Sequence, residues 1–147
     1  MASPFIAQYW YEPDNAREAV AQGGQLVASP AEFAYLDMVQ NPAADYGQVW
    51  AGVIDLEQAY SWDPVLEGTE ESDVVGIEGC LWTEYIDDQD KMDFMLWPRM
   101  SALSEVGWST TRDWASFGSR MTKEGDRLSA LGVHFYEDPA ITWGANE

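Results

Sequence analysis

One cysteine, one histidine and two lysines are all that this chain of 147 residues has of those residue types. A lone Cys80 excludes an internal disulfide framework and a thiolate-rich zinc site. A lone His134 excludes any centre built on two histidines and reads as a surface or rim residue. No run approaches the roughly 18 apolar residues of a membrane span. No stretch has the charged head and apolar core of a signal peptide, which leaves secretion open because a mature chain has lost its signal. Basic residues are scarcest of all. Seven Lys and Arg face 26 Asp and Glu, a net charge of -19, and none lies between Arg17 and Lys91. Such a surface is not built for nucleic acid, anionic membranes or polyanionic substrates, whose phosphates need cations. Neutral or cationic partners remain. The acidic, lysine-poor composition fits a salt-adapted protein and equally an ordinary acidic secreted or bacterial one.

Twelve glycines, seven prolines and 46% hydrophobic residues describe a folding chain, not a disordered or collagen-like one. At this length one domain can bury roughly two-thirds of its unfolded surface. Tryptophan, with eight copies, outnumbers phenylalanine, with five, and seven tyrosines join them. Trp and Tyr combine a flat apolar face with a polar handle. A pyranose ring, with one face of C–H bonds and hydroxyls around its rim, is a partner for that combination; core packing accounts for the other rings.

The order of elements is that of a parallel β-α-β unit. Phe5–Trp10 reads as a short strand, Pro13 and Asp14 open a helix, Gly23 and Gly24 end it, and Leu26–Ser29 reads as the next strand before Pro30. Both strands are apolar, as buried parallel strands are. Residues 31–73 read as a long irregular connection with a turn of helix near Leu56–Ala59. A connection of that length is commonly functional or a lid. Val74–Ile77 reads as a third strand that continues past Gly79 into Cys80–Trp82. A kinked or divided helix is expected over Met92–Val106, with Pro98 inside it and Gly107 at its end. A second helix over Asp113–Leu131 places Trp114, Phe117, Met121, Leu128 and Leu131 on one stripe, capped by Gly132. Val133–Tyr136 reads as a terminal strand or extension. The fold class is therefore α/β, parallel strands with flanking helices. A whole (β/α)₈ barrel takes roughly 250 residues, so a barrel reading makes this chain the C-terminal part of one.

No phosphate loop, dinucleotide fingerprint, nucleophile elbow or metal motif occurs. The informative segments lie at or past strand C-termini, where α/β folds place ligands. In Tyr35-Leu36-Asp37 and in Trp82-Thr83-Glu84 a ring and a carboxylate stand two residues apart. In extended backbone such a pair points to one side. Each segment thus offers one stacking face and one hydroxyl acceptor to a shared pocket. A core ring beside a solvated acid fits the same pattern.

Taken in order, the motifs resemble the last part of the catalytic barrel of glycoside hydrolase family 20, the β-N-acetylhexosaminidases. The matching stretches are Tyr9-Trp10, Gly23-Gly24 with Leu26-Val27-Ala28-Ser29-Pro30, Tyr35-Leu36-Asp37, Val75–Glu84, Trp97-Pro98-Arg99 through Trp108-Ser109, and a tail from Phe117 to Tyr136. The resemblance implies that residues 1–147 form part of a TIM-barrel catalytic domain. It implies retaining hydrolysis of terminal non-reducing N-acetyl-hexosamine residues, assisted by the substrate's own 2-acetamido group, without a cofactor or metal. By the same resemblance Trp10 walls the N-acetyl pocket, Tyr35 hydrogen-bonds the acetamido oxygen, and Trp82 stacks under the ring. Glu84 accepts from the C4 and C6 hydroxyls, Asp37 assists, and Trp50 closes the pocket from a loop. Arg99 and Glu105 are expected to pair within the helix packing. The implied partners are glycans containing N-acetylglucosamine or N-acetylgalactosamine and the upstream remainder of the barrel, with a secreted or periplasmic location for the full-length enzyme. The family's Asp-Glu catalytic pair is missing: no Asp-Glu dipeptide occurs in this chain. The alternative is a non-catalytic carbohydrate-binding or structural module on the same strands.

Overall fold

The computed structural model describes residues 5–144. Three parallel strands lie in the order β1 (Ile6–Tyr9), β2 (Gln25–Ala28) and β3 (Val74–Ile77). Helix α1 (Pro13–Ala21) makes the first crossover. Its end is a Schellman turn: the Gly23 N–H donates to Val20 and the Gly24 N–H to Ala19, with Gly23 at φ 85°. The register of β2 on β3 slips between Leu26 and Val27, so that Leu26 faces Val74 while Val27 faces Gly76. The sheet is unclosed, as expected of part of a (β/α)₈ barrel.

One face of the sheet carries Tyr9, Leu26 and Ala28, buried with Ala16 of α1 and with Leu103 and Val106 of helix α5 (Arg99–Trp108). The opposite face is bare among the described residues, with Gln8 and Gln25 exposed. The strands are thus buried on one side and not, as their apolar sequences predict, on both. Between β2 and β3, part of residues 31–73 is core: 34–40 with Ala31, Ile54, Leu56, Ala59, Tyr60 and Trp62 are buried, and none of 41–53 or 63–73 is. Short helices α2 (Ala31–Ala34) and α3 (Leu56–Tyr60) flank a segment in which Tyr35 through Gln40 are all buried. Asp55 caps α3 by accepting from the Gln58 N–H.

Pro98 divides the next helical stretch into α4 (Gln89–Leu96), capped by Asp88, and α5, which runs through Gly107 to Trp108. Helix α6 (Trp114–Ala130), capped by Asp113, buries Phe117, Met121 and Leu128 but leaves Leu131 exposed. Leu128, about four turns from Trp114, is still buried; Leu131 is exposed because it is the C-cap, past the end of the helix. The segment after Gly132 forms no strand; it is held by isolated bonds such as the Tyr136 N–H to the Trp97 carbonyl. Arg99 and Glu105 do not pair. Glu105 binds Arg120 at 2.7 Å and accepts from the Tyr60 hydroxyl, while Arg99 points the other way, into the core. Two residues six apart on a helix face different directions, which the sequence motif alone does not convey.

Candidate functional site

Past the C-terminal ends of the strands the chain makes three extended segments side by side. Tyr35 bridges Cys80 in parallel, the Leu36 N–H donating to the Cys80 carbonyl at 2.6 Å and the Cys80 N–H to Ala34 at 2.9 Å. Met38 bridges Gln48, the Gln48 N–H donating to the Asp37 carbonyl at 2.7 Å. Cys80 meets the ladder only through that bridge, so β3 does not continue to Trp82 as its sequence predicts. On the far side, the Ala31 N–H donates to the Trp10 carbonyl and ties the exit of β1 to the start of α2. The backbone beyond Tyr11 turns at Glu12, a non-glycine residue at φ 51°, before Pro13 starts α1.

These segments enclose a cavity of about 450 Å³ lined by Gln8, Trp10, Tyr35, Asp37, Gln48, Trp50, Trp82 and Glu84. The lining is four pairs two residues apart, 8 with 10, 35 with 37, 48 with 50 and 82 with 84. Only Gln8 lies in a strand; Trp10 is at a bend and Asp37, Trp50 and Glu84 are in turns, so loop geometry shares in setting the arrangement. All six residues singled out from the sequence are brought together. Gln8 and Gln48 join them. Gln8 has the same spacing to Trp10 that drew attention to Tyr35 and Asp37, so its signal was present in the sequence. Gln48 sits in irregular sequence and is placed only by its bridge to Met38.

The four rings wall the cavity at mixed angles. Tyr35 lies 6.3 Å from Trp10, 5.9 Å from Trp50 and 6.4 Å from Trp82, centroid to centroid. Trp10, Trp50 and Trp82 are each about half exposed, and Tyr11, also exposed, stacks outside Trp10 at 5.5 Å. Apolar faces of this size are left bare where a ligand covers them. At the base lies Asp37, 4% exposed, with its Oδ1 buried and without a hydrogen-bond partner. Burial pushes its carboxyl above the ordinary range. The Glu84 carboxylate adds to that push, against the pull of nearby backbone N–H groups and the Arg99 charge. Burial also raises the Tyr35 phenol, so the hydroxyl keeps its proton and remains a donor. Cys80 is buried with its thiol pushed up by that burial, which makes it a packing residue and not a nucleophile. His134 is exposed and stacks on Phe94, away from the cavity.

A wider hollow of about 730 Å³ lies between α5 and α6, but its Glu105 and Arg120 satisfy each other. The aromatic cavity alone joins bare rings to an unsatisfied buried carboxylate among the described residues. No group of three His, Cys, Asp or Glu side chains among those residues is arranged to hold a metal ion.

The catalytic-domain model of glycosyl hydrolase family 20 matches residues 1–111. A beta-N-acetylhexosaminidase of Cellulomonas fimi is 32% identical over 145 residues, covering 94% of this chain and 29% of the relative. A beta-hexosaminidase of Vibrio furnissii is 37% identical over 106 residues, 69% of this chain and 17% of the relative. The Streptomyces plicatus N-acetyl-beta-hexosaminidase, solved in complex with Thio-NAglucal, superposes with a TM-score of 0.89 at 33% identity, over 95% of this chain and 30% of that one. The chain therefore spans less than a third of the length of each of these three proteins.

Proposed function

This chain belongs to glycosyl hydrolase family 20, and on that premise we propose that it forms the sugar-holding side of a retaining β-N-acetylhexosaminidase site. The observation that carries the proposal is the cavity itself: four aromatic rings around a buried carboxylate with an unpartnered oxygen. A pyranose satisfies both halves. Its C–H face covers a ring, and its hydroxyl or amide donors satisfy carboxylate oxygens whose isolation otherwise costs free energy.

In this reading Trp82 stacks under the sugar and Glu84 accepts from its C4 and C6 hydroxyls. Trp10, Tyr35 and Trp50 surround the N-acetyl group. The Tyr35 hydroxyl, kept protonated, donates to the acetamido oxygen and holds it where it can attack the anomeric carbon. Attack forms an oxazolinium ring as the glycosidic bond breaks; a proton goes to the leaving oxygen, and water then opens the ring with retention. Asp37 accepts a hydrogen bond from the bound sugar. Proton transfer falls to an Asp-Glu pair outside this sequence, which contains no such dipeptide. Residues beyond 111 belong to the same folding unit in this proposal, because Phe117, Met121 and Ile141 share one buried cluster with Tyr35.

Titration of the chain with N-acetylglucosamine, followed by tryptophan fluorescence and indole N–H NMR signals, tests the reading. The expected result is a saturable change at Trp82 and Trp50 with N-acetylglucosamine and a much weaker one with glucose, which lacks the acetamido group. Equal responses to the two sugars, or none to either, would overturn it.

A further inference from the structure

The segment that carries Tyr35 and Asp37, a turn at Leu36 and Asp37 between two bridge residues, has two backbone edges. One edge, at the Asp37 carbonyl and the Val39 N–H, is occupied by Gln48. The other begins on Cys80, which accepts from the Leu36 N–H, and then no strand continues. Arg99 stands there instead. Its Nη2 donates to the Leu36 carbonyl at 2.6 Å and its Nη1 to the Met38 carbonyl at 2.9 Å, the two carbonyls flanking Asp37. The other two Nη donors reach Ile54 at 3.0 Å and Met95 at 2.6 Å, while the buried Nε has no partner. The side chain is fully buried and has no carboxylate within salt-bridge distance among the described residues.

A buried cation without a paired anion is costly, and a stabilising role alone is met more cheaply by an apolar side chain. What a planar five-donor fork supplies and an apolar residue cannot is a fixed spacing between several carbonyls at once. We infer that Arg99 is a positioning residue for the sugar site: it holds the carbonyls on either side of Asp37, where no strand continues, and so fixes the turn that aims Tyr35 and Asp37 into the cavity. A change in that turn would swing one member of the pair away from the cavity. The inference rests on the sugar-binding reading for its consequence, though not for its geometry.

Arg99→Lys keeps the charge but offers one ammonium that cannot span the carbonyls of Leu36, Met38 and Ile54. Three quantities are measured: affinity for N-acetylglucosamine, amide hydrogen exchange, and thermal unfolding. The comparison variant is Leu128→Ala, which loosens the packing of α6 at a buried residue outside the cluster that holds Tyr35 and Met38. The expected result for Arg99→Lys is at least a tenfold loss of sugar affinity, with at least tenfold faster exchange at the Leu36, Val39 and Gln48 amides relative to those of α6. Leu128→Ala, with an equal or larger loss of thermal stability, should hold its affinity within twofold. A folded Arg99→Lys with the parent affinity and unchanged exchange overturns the inference. Should that variant not fold, the parent chain decides: a fork fixed on four carbonyls gives separate Nη proton signals in a 15N-labelled sample, and a single averaged signal overturns the claim. If the parent chain does not bind the sugar, the functional reading fails, while the exchange pattern and the Nη signals still judge Arg99.

Discussion

Asp37 is placed where its own ionisation works against the fold. Its carboxyl is buried, one oxygen has no partner, and its folded-state pKa lies above the ordinary value. The folded chain therefore holds this proton more tightly than the unfolded chain does. Its effect on stability is favourable at acidic pH and is lost as pH rises from the ordinary carboxyl range through the folded pKa. Asp37→Asn should accordingly raise the melting temperature at neutral pH and lose that advantage as pH falls, which calorimetry across a pH series will show. The same substitution should weaken N-acetylglucosamine binding, the trade between stability and function expected where a polar group waits for a ligand. Trp82, about half exposed on the cavity wall, should behave in the opposite way. Trp82→Ala is expected to leave stability nearly unchanged and to reduce sugar affinity roughly tenfold, an effect of ~1.4 kcal/mol within the range of one aromatic contact. Isothermal titration on both variants separates the two cases.

Among the elements, ends matter as much as faces. Helices α1 and α6 both stop in Schellman turns, at Gly23 with φ 85° and at Gly132 with φ 73°. A Cβ added at Gly23 meets no atom within 4 Å, so substitution there tests backbone conformation alone. Gly23→Ala should destabilise the chain by about 1 kcal/mol, read from urea unfolding. The inner face of α6 carries a larger share. Phe117 is fully buried, stacks on Tyr60 at 4.6 Å and joins the cluster that supports Tyr35. Phe117→Ala should cost about 3–5 kcal/mol, since the packed rings around it cannot collapse into the space left behind. The tie between α5 and α6 has its own pH signature. Glu105, bonded to Arg120 and to the Tyr60 hydroxyl, has its carboxyl held below the ordinary range chiefly by Arg120. That tie contributes stability above the ordinary carboxyl pKa and loses it as pH falls, the reverse of Asp37.

On the scale of the whole molecule two features dominate, a large negative charge and a sheet that is covered on one side. With a net charge of -19 and no base from 18 to 90, the folded chain repels itself. Raising sodium chloride from about 0.01 M to 0.15 M shortens the screening length from roughly 30 Å to 8 Å and should raise the melting temperature in scanning calorimetry. The bare sheet face and the exposed edge residues Ile6 and Val75 are where the remaining strands of a barrel would pack. In the proposed reading the proton-transfer groups lie outside this sequence. The chain alone should therefore not release chromophore from a chromogenic N-acetylglucosaminide above the buffer rate. Fused to the upstream part of the Streptomyces plicatus relative's catalytic domain, it should do so, and a stopped assay on the two proteins is a direct check.

The sequence determined the parallel β-α-β order, the helix ends at Gly23 and Gly132, the division at Pro98 and the pairing of a ring with an acid in two segments. These are local matters: backbone conformation, missing donors and the alternation of side chains are set within a few residues. The family motifs carried the rest of the reading that could be made before any coordinates. What the tertiary structure alone decided lies across long separations. Residues 34–40 were legible as irregular but not as core, because irregular backbone is buried only when distant groups satisfy it, here Cys80, Gln48 and the Arg99 fork. Gln48 enters the cavity through a bridge ten residues away in sequence, and Arg99 serves a segment some sixty residues before it, while Glu105 turns to Arg120. Hydrogen bonds between distant groups are chosen by the packing of whole elements, and no spacing within the chain encodes that choice.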